Sequence, residues 1–240
     1  MASKAPAKCC ITASFHEGTP KGKHVPLCGL DTYVSGDASD RVIVIFTDVF
    51  GHKLNNTLLI ADEMAKSGYK VLIPDILNND PFDANADLLA LGAWIPKHTN
   101  EIIKPQVDAY MEALKKELKP KFIGVIGYCF GAPFAAQQIS ASGYADAGAI
   151  AHPSRVSMEE VAAIKKPIII SAAEVDPVFP VELRHETEKK LTEIGARYQI
   201  DLFSGVSHGY AVRGDILDPV VKYAKEKTLI DQIMFFDLFW

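Results

Sequence analysis

The sequence lacks the features of a membrane, secreted or nucleic-acid-binding protein. None of its apolar runs reaches the roughly 18 residues that a membrane helix needs. Its N-terminal residues MASKAPAKCC are polar, without the apolar centre of a signal peptide. It has no long basic run and a net charge of −5, which makes nucleic acid a poor partner. We therefore expect a cytoplasmic protein that binds neither membranes nor nucleic acid.

Cysteine is also scarce. The 240 residues include four cysteines, Cys9, Cys10, Cys28 and Cys129, and no paired CxxC units, so their spacing predicts no metal site. We expect Cys9 and Cys10 to be loop thiols in a reducing compartment. An adjacent pair of cysteines is also compatible with a redox or metal-binding role.

No repeat, low-complexity segment or linker divides the chain, so we predict one domain over residues 1–240. Its composition, 48% hydrophobic and 23% charged, is that of a chain with a packed core. Short runs rich in β-branched residues alternate with segments of helical period. This pattern predicts an α/β protein with a mostly parallel, doubly wound sheet and helices on both faces.

Hydrophobic period and turn residues predict the individual elements. Residues 1–28 are predicted to be an irregular N-terminal lead-in. The predicted strands are 30–35, 41–47, 70–74, 122–126, 146–151, 167–173 and 197–203. The predicted helices are 54–66, 84–94, 101–118, 158–164, 180–194 and 219–240, with one more after Gly131. We expect residues 76–100 to cover or wall a pocket, and the apolar C-terminal end to pack on the body or on a second subunit.

One stretch, residues 122–136, places a cysteine between two glycines where a strand gives way to a helix (FIGVIGYCFGAPFAA). A strand, Gly-x-nucleophile-x-Gly and a helix form the nucleophile elbow of α/β-hydrolases. Gly127 and Gly131 leave room for the neighbouring strand and helix. The N-terminus of the following helix favours the thiolate of Cys129 and lowers its pKa. The alternative is that Cys129 is a small buried hydrophobe.

Acid and base candidates follow two later strands. The order Cys129, Asp176, His208 is the nucleophile–acid–base order of α/β-hydrolases, with spacings of 47 and 32 residues. Because the C-terminal ends of parallel strands meet at one edge of a sheet, we predict that the three side chains form a triad. His208 would take the thiol proton, and Asp176 would orient the imidazole. Glu174 is the alternative acid, and Asp176 is also typical of a turn residue before Pro177.

Further residues near the elbow are candidates for contacts with the substrate. The backbone N–H groups of Phe130 and Val49 are predicted to form an oxyanion hole. Tyr128, beside the nucleophile, and His152, at a predicted strand end, are candidate substrate contacts. The alternative for Tyr128 is core packing, and the alternative for His152 is an ordinary loop position.

These motifs resemble the dienelactone hydrolase family, which is carboxymethylenebutenolidase-like and has the α/β-hydrolase fold. The resemblance covers roughly residues 30–222. The similar motifs are DVFG at 48–51, PD at 74–75, GYCFG at 127–131, Asp176, and HGY at 208–210 with Arg213. The Cys-Cys start and HPS at 152–154 resemble a fungal or eukaryotic branch of the family.

The resemblance implies that an enol-lactone, dienelactone, is hydrolysed to maleylacetate through an acyl thioester on Cys129. Asp48 stands where the family has a glutamate that switches the cysteine between thiol and thiolate, and it is one methylene shorter. Of two family arginines that clamp the substrate carboxylate, Arg213 matches one. Asn78 and Asn79 stand where the other would lie, and an asparagine offers no charged clamp. Hydrolysis is therefore better supported than this particular lactone.

We expect a cysteine-dependent hydrolase of small, carboxylated esters or lactones that is monomeric or homodimeric. Its triad requires no metal or organic cofactor. A thioesterase or other acyl hydrolase and a catalytically silent protein that binds a small ligand remain open. A third alternative, a redox-regulated protein, would centre on Cys9 and Cys10. The reactivity of the Cys129 thiol separates the enzymes from the silent protein.

Overall fold

An eight-stranded sheet forms the centre of the computed structural model, which describes residues 3–4 and 13–240. Cys9 and Cys10 lie outside the described residues. The strands are β1 (Lys23–Leu27), β2 (Leu30–Ser35), β3 (Arg41–Phe46), β4 (Lys70–Pro74), β5 (Phe122–Tyr128), β6 (Ala147–Ala151), β7 (Ile168–Val175) and β8 (Tyr198–Ser207). Their spatial order is β1-β2-β4-β3-β5-β6-β7-β8. The pairs β1–β2 and β2–β4 are antiparallel and the other pairs are parallel, which confirms the predicted mostly parallel sheet.

Two groups of helices cover the sheet. The helices are α1 (Asn55–Ala65), α2 (Leu88–Trp94), α3 (Asn100–Glu117), α4 (Ala132–Gln138), α5 (Met158–Ala163), α6 (Val181–Glu193), α7 (Tyr210–Arg213) and α8 (Pro219–Phe239). α1, α7 and α8 pack together, and α3 to α6 form a second packed series. Within the described part of the chain, no helix is both long and apolar enough to cross a bilayer.

The central strand β5 shows how the helices bury both faces of the sheet. All seven of its residues are buried. A Cβ at Gly127 would meet Ala132 of α4 at 2.5 Å, and a Cβ at Gly124 would meet Phe236 of α8 at 3.1 Å. Because side chains alternate along a strand, these glycines point to opposite faces. This two-sided burial explains the continuous apolar sequence of the strand.

The ends of the sheet depart from the predicted elements. Residues 23–27, predicted to be irregular, form the edge strand β1. This strand can contain Pro26 because an edge strand does not need every backbone N–H for pairing. Most of β1 is exposed or half-buried, so its sequence carries no apolar alternation. The last strand runs to Ser207 rather than 203, because Gly205 adopts a φ of +76° and the β7–β8 register shifts between Ala173 and Val175.

Two helices also differ from the sequence-based expectation. α2 begins at Leu88 rather than at 84, because the Asp87 carboxylate accepts hydrogen bonds from the N–H groups of Leu89 and Ala90 and caps the helix there. The short helix α7 was not predicted. It follows His208 directly after Gly209, whose φ is +92°.

The C-terminal helix α8 packs on the body along one face. Phe236 is fully buried and its ring centroid lies 6.1 Å from that of Phe122. Met234, Leu238 and Trp240 are 64%, 71% and 51% exposed. Of the two expected positions for this apolar end, the structure therefore shows the packing on the body.

Candidate active site

A strained turn holds Cys129 at the C-terminal end of β5. Cys129 is buried and has a φ of 49°, in the left-handed region that costs a non-glycine residue on the order of 1–3 kcal/mol. A Cβ added at Gly127 would lie 2.5 Å from the Cα of Ala132. A Cβ added at Gly131 would lie 2.1 Å from the carbonyl oxygen of Phe46. The two glycines of the elbow are therefore required by close backbone packing.

The predicted nucleophile, base and acid meet at this turn. His208 Nε2 lies 3.1 Å from Cys129 Sγ, and His208 Nδ1 lies 2.8 Å from Asp176 Oδ2. The side chains of His208 and Asp176 are both fully buried. Strands β5, β7 and β8 bring these three residues to one edge of the sheet because the strands are parallel.

The Asp176 carboxylate is fixed by the chain that follows it. Its Oδ1 accepts hydrogen bonds of 2.9 Å from the backbone N–H groups of both Val178 and Phe179. Oδ2 is left to face the imidazole. Glu174, the alternative acid, instead accepts from Ser204 Oγ and the Gly205 N–H, so the geometry favours Asp176.

The surroundings of His208 favour the charged ring. Burial opposes the charge, but the Cys129 thiolate and the hydrogen bond to Asp176 outweigh it and raise the pKa of His208 to about 10. This raised pKa favours a protonated imidazole at neutral pH, with the charge of the Cys129 sulfur as the largest of the effects that raise it. A protonated imidazole 3.1 Å from the sulfur would stabilise a thiolate, which is the nucleophilic form of a cysteine.

The two predicted oxyanion donors lie on adjacent loops. Phe130 lies in the 3₁₀ turn Cys129–Gly131, where first-turn N–H groups have no acceptor within the helix. Phe46 pairs with Gly127, so the loop that carries Val49 starts beside the elbow. The Val49 carbonyl accepts from the N–H of Phe82, which ties this loop to residues after β4.

Asp48 and Arg213 form a buried ion pair beside the triad. Arg213 Nε donates to Asp48 Oδ2 at 2.7 Å, the Phe50 N–H donates to Oδ1 at 3.0 Å, and both side chains of the pair are fully buried. Burial raises the pKa of Asp48. The Arg213 guanidinium lowers this pKa, and the nearby charge of Cys129 raises it. Sequence reasoning assigned Asp48 to the thiol and Arg213 to the substrate, and the structure joins the two residues to each other.

A cluster of aromatic rings lies beside His208. The His152 ring is fully buried, and its centroid lies 5.1 Å from that of His208 and 6.0 Å from that of Tyr128. Burial lowers the pKa of His152 to about 4, so its ring is neutral. Tyr128 donates its hydroxyl to Gln232 of α8 at 3.1 Å. His152 thus borders the triad, whereas the hydroxyl of Tyr128 is engaged by the helix behind the sheet.

A model of the dienelactone hydrolase family matches residues 30–239. The chain belongs to the dienelactone hydrolase family. Hydrolase tropI of Talaromyces stipitatus is 34% identical over 249 residues, covering 99% of this chain and 98% of that protein. Dienlactone hydrolase 1 of Gibberella moniliformis is 35% identical over 248 residues, covering 97% and 93%.

A solved structure shares the fold. A putative dienelactone hydrolase from Klebsiella pneumoniae superposes with a TM-score of 0.71 at 13% identity, covering 87% of this chain and 95% of that one. These comparisons confirm the α/β-hydrolase fold and the resemblance to a fungal or eukaryotic branch of the family. The chain is thus an ester-bond hydrolase of the dienelactone hydrolase family.

Residues 76–100 contribute an aromatic wall in this dienelactone hydrolase family member. The Trp94 ring lies 5.2 Å from that of Phe130, the residue after the nucleophile, and stacks on His98 at 3.8 Å. Trp94 Nε1 donates to the carbonyl of Asp80. The segment therefore packs against the nucleophile turn, as expected for a pocket wall.

Asn79 is a predicted site residue that the structure does not bring to the triad. It is exposed, and its Oδ1 accepts from Lys53 Nζ at 3.0 Å. Asn78 and Asn79 both have positive φ values, 54° and 58°, which asparagine tolerates better than most residues. This turn explains the two asparagines without a contact to the substrate.

Sequence reasoning missed two residues that follow His152. Ser154 Oγ lies 3.8 Å from Cys129 Sγ, and the Ser154 N–H donates to the Cys129 carbonyl at 3.0 Å. The Arg155 guanidinium lies 4.4 Å from the centre of the Phe130 ring and donates to the His98 carbonyl. The only sequence signal was their place after a strand end, because the loop folds back onto an elbow more than 20 residues earlier.

Proposed function

We propose that this hydrolase cleaves small esters or lactones through a Cys129–His208–Asp176 triad and an acyl-thioester intermediate. The observation that carries the proposal is the unbroken series of contacts from Asp176 through His208 to the sulfur, 2.8 Å and 3.1 Å long. The names of its relatives, which include a dienlactone hydrolase, support the same class of substrate.

In the first half-reaction the Cys129 thiolate attacks the carbonyl carbon of the ester. A carbon–sulfur bond forms and the carbonyl electrons move onto oxygen, where the N–H groups of Phe130 and Val49 would stabilise the charge. When the oxyanion collapses, the carbon–oxygen bond to the leaving group breaks. His208 gives its Nε2 proton to the departing alkoxide or enolate, leaving an acyl thioester and a neutral imidazole.

In the second half-reaction a water molecule replaces the leaving group. Neutral His208 takes a proton from the water as the oxygen attacks the thioester, and Asp176 stabilises the imidazolium that forms. Collapse of the second tetrahedral intermediate expels the thiolate. The acid product leaves, and the thiolate–imidazolium pair is restored.

The Asp48–Arg213 pair would regulate the charge beside the sulfur. A lone buried carboxylate would repel the thiolate, and Arg213 balances that charge at 2.7 Å. We therefore assign Asp48 a positioning role for Arg213 and an electrostatic role toward Cys129. Arg213, being fully buried against Asp48, is a weaker candidate for clamping a substrate carboxylate than the sequence suggested.

Arg155 is the better candidate for the recognition of a carboxylated substrate. It stacks on Phe130, beside one of the proposed oxyanion donors. Burial lowers the pKa of Arg155, while Glu160 and the Cys129 thiolate counteract this effect, so its charge lies within electrostatic reach of the nucleophile. A substrate carboxylate held there would keep its ester carbonyl near the sulfur.

The function is tested by hydrolysis of dienelactone, p-nitrophenyl acetate and an acyl thioester. Loss of the nucleophile in Cys129→Ala should lower kcat/KM on the accepted substrates by a factor on the order of 10⁴ or more. Mass spectrometry of a quenched reaction should find the acyl group on the Cys129 peptide of the unmutated enzyme.

Cys28→Ser is the matched control, because Cys28 lies in the turn between β1 and β2, away from the triad. It should keep the activity of the unmutated chain. Equal activity of Cys129→Ala and the unmutated chain would reject the cysteine mechanism. A preference for the thioester over both oxygen esters would favour the thioesterase alternative.

A further inference from the structure

A second group of chemically active side chains lies away from the triad, at the antiparallel edge of the sheet. It consists of His24 on β1, Asp31 on β2 and His52 in the loop after β3. His24 Nδ1 lies 3.9 Å from Asp31 Oδ1, and His52 Nε2 lies 2.9 Å from Asp31 Oδ2. One nitrogen from each histidine and one carboxylate oxygen all lie within 4.8 Å of one another.

These separations suit a small divalent ion. Zinc binds imidazole nitrogen and carboxylate oxygen at about 2.0–2.2 Å, so ligand atoms of a tetrahedral site lie roughly 3.4 Å apart. His52 Nε2 lies 2.9 Å from one oxygen of Asp31 and His24 Nδ1 lies 3.9 Å from the other, so the two separations lie on either side of this value. The two rings are already in edge contact, with centroids 5.3 Å apart. Small side-chain rotations would complete the geometry.

The neighbouring Asp75 provides the outer support that metal-binding histidines usually have. Asp75 Oδ1 lies 3.4 Å from His52 Nδ1, on the opposite side of the ring from Asp31. A carboxylate at Nδ1 fixes the tautomer that leaves Nε2 free to bind a metal. The Asp75 N–H also donates to the Asp31 carbonyl at 2.8 Å, which holds the two acidic residues in register.

The group is open to solvent on one side. The side chains of His24 and Asp31 are 32% and 39% exposed, whereas that of His52 is 4% exposed. A cation, Lys53, lies 3.6 Å from Asp31 Oδ2 and would compete with a metal ion. Lys53 is 56% exposed and also donates to Asn79, so its amine can move away from Asp31.

We propose that His24, Asp31 and His52 bind a divalent transition ion of the zinc type, with solvent as the remaining ligand. Two imidazoles and a carboxylate are donors that zinc accepts, and three protein ligands leave one position of a tetrahedral site open. The ion would join β1 and β2 to the loop after β3. That loop also carries Asp48 and Val49, so the ion would tie the edge hairpin to the segment beside the nucleophile.

The test measures Zn²⁺ binding by chelator-treated protein in competition with a chromophoric chelator, together with the Tm. The unmutated chain should bind Zn²⁺ and gain thermal stability from it. Loss of a ligand in His24→Gln or Asp31→Asn should weaken this binding by more than about 100-fold, and Asp75→Asn by about 10- to 100-fold. His24 is a half-exposed residue of an edge strand, so its replacement leaves the fold intact.

His185→Gln is the matched control, because His185 is an exposed histidine on α6. It should bind Zn²⁺ as the unmutated chain does. Lys53→Gln should bind more tightly, because a competing positive charge is removed. An ion pair network without a metal-binding function would show neither the loss in His24→Gln nor this gain.

Cysteine thiolates are the other groups in this chain that bind such metal ions. The absorption spectrum of bound Co²⁺ distinguishes thiolate ligands from imidazole and carboxylate ligands. Bound at the proposed site, Co²⁺ should give visible d–d absorption without a thiolate-to-metal charge-transfer band, and a variant with all four cysteines replaced by serine should behave alike. Full Zn²⁺ binding by His24→Gln would overturn the proposal. So would loss of all binding in the cysteine-free variant.

Discussion

The described thiols Cys28 and Cys129 have opposite surroundings. Burial and the adjacent Glu117 raise the pKa of Cys28 to about 11, so this thiol is protonated at neutral pH. The sulfur of Cys129 instead lies 3.1 Å from the imidazole of His208, whose pKa is raised to about 10. Cys28 is therefore an internal reference against which the proposed activation of Cys129 can be measured.

Alkylation by iodoacetamide, followed peptide by peptide in a mass spectrometer, should separate the two thiols. We expect the Cys129 peptide to react at a nearly constant rate from about pH 6 to 8, because its imidazolium partner keeps its proton throughout this range. The Cys28 peptide should react slowly and speed up only as the pH approaches its pKa. In His208→Gln, Cys129 should become slow at pH 6, and an unchanged rate there would contradict the ion pair.

Substitution of Arg155 tests the recognition of carboxylated substrates. Arg155→Gln should raise KM for an ester that carries a carboxylate by about tenfold or more, since a charge-assisted hydrogen bond contributes about 1.5–3 kcal/mol. It should leave hydrolysis of uncharged p-nitrophenyl acetate nearly unchanged. Arg197→Gln, at an exposed arginine, is the control for lost surface charge. Equal effects on both esters would indicate a structural role for Arg155.

At the residue scale, the candidate triad residues that belong to local motifs are the ones that the structure brings together. Cys129 follows from its glycines, and Asp176 and His208 follow from strand ends. The Asp48–Arg213 pair could not be predicted, because it joins residues 165 positions apart and each alone suggests another partner. The proposed role of Arg155 could not be predicted for a related reason, since only the folded loop places this residue on Phe130.

At the scale of elements, α8 packs on the sheet through the fully buried ring of Phe236. Phe236 packs against Phe122 and covers Gly124, which has no side chain of its own to fill the space. Phe236→Ala should therefore leave a cavity and lower the free energy of unfolding by about 3–5 kcal/mol. Urea denaturation measures this loss.

Met234→Ala on the same helix is the matched control. Met234 is 64% exposed, so its truncation should change the free energy of unfolding by less than about 0.5 kcal/mol. A similar loss in both variants would mean that α8 is stabilised by contacts on its outer face.

Sequence patterns predicted several strands well, including β2, which matches residues 30–35 at both ends although it is only partly buried. β4 was predicted with both its ends, and β3 and β6 to within one residue, because their apolar runs stop where burial stops. β1 was missed because an edge strand needs no apolar pattern. The end of β8 was misplaced because Gly205, usually a turn signal, lies inside an irregular stretch of strand.

At the scale of the whole molecule, a buried amine makes stability depend on pH. Lys225 on α8 donates to the carbonyl of Ala211 on α7, and burial lowers its pKa from 10.5 to about 7. At pH values between about 7 and 10.5, the Lys225 amine is protonated in the unfolded chain and neutral in the folded chain. The free energy of unfolding should therefore rise with pH from about 7 toward 10.

This contribution is measured by urea denaturation of the unmutated chain and of Lys225→Met at pH 7 and pH 9. The variant should be relatively more stable at pH 7, and the advantage should shrink at pH 9, because the proton that Lys225 releases on folding costs less to remove as the pH approaches 10.5. Lys222→Met, at an exposed lysine of α8, should follow the unmutated chain at both values. A pH-independent difference for Lys225→Met would contradict the lowered pKa.

The distance along the chain between the nucleophile and its base has a consequence for biosynthesis. Cys129 precedes His208 by 79 residues, and β8 must dock beside β7 before the imidazole reaches the sulfur. While the chain leaves the ribosome, the Cys129 thiol is made well before the imidazole that contacts it. Under the proposed mechanism, the nascent protein would hold an ordinary, weakly reactive thiol until β8 is in place, and a chain that stops short of β8 would carry no activated sulfur.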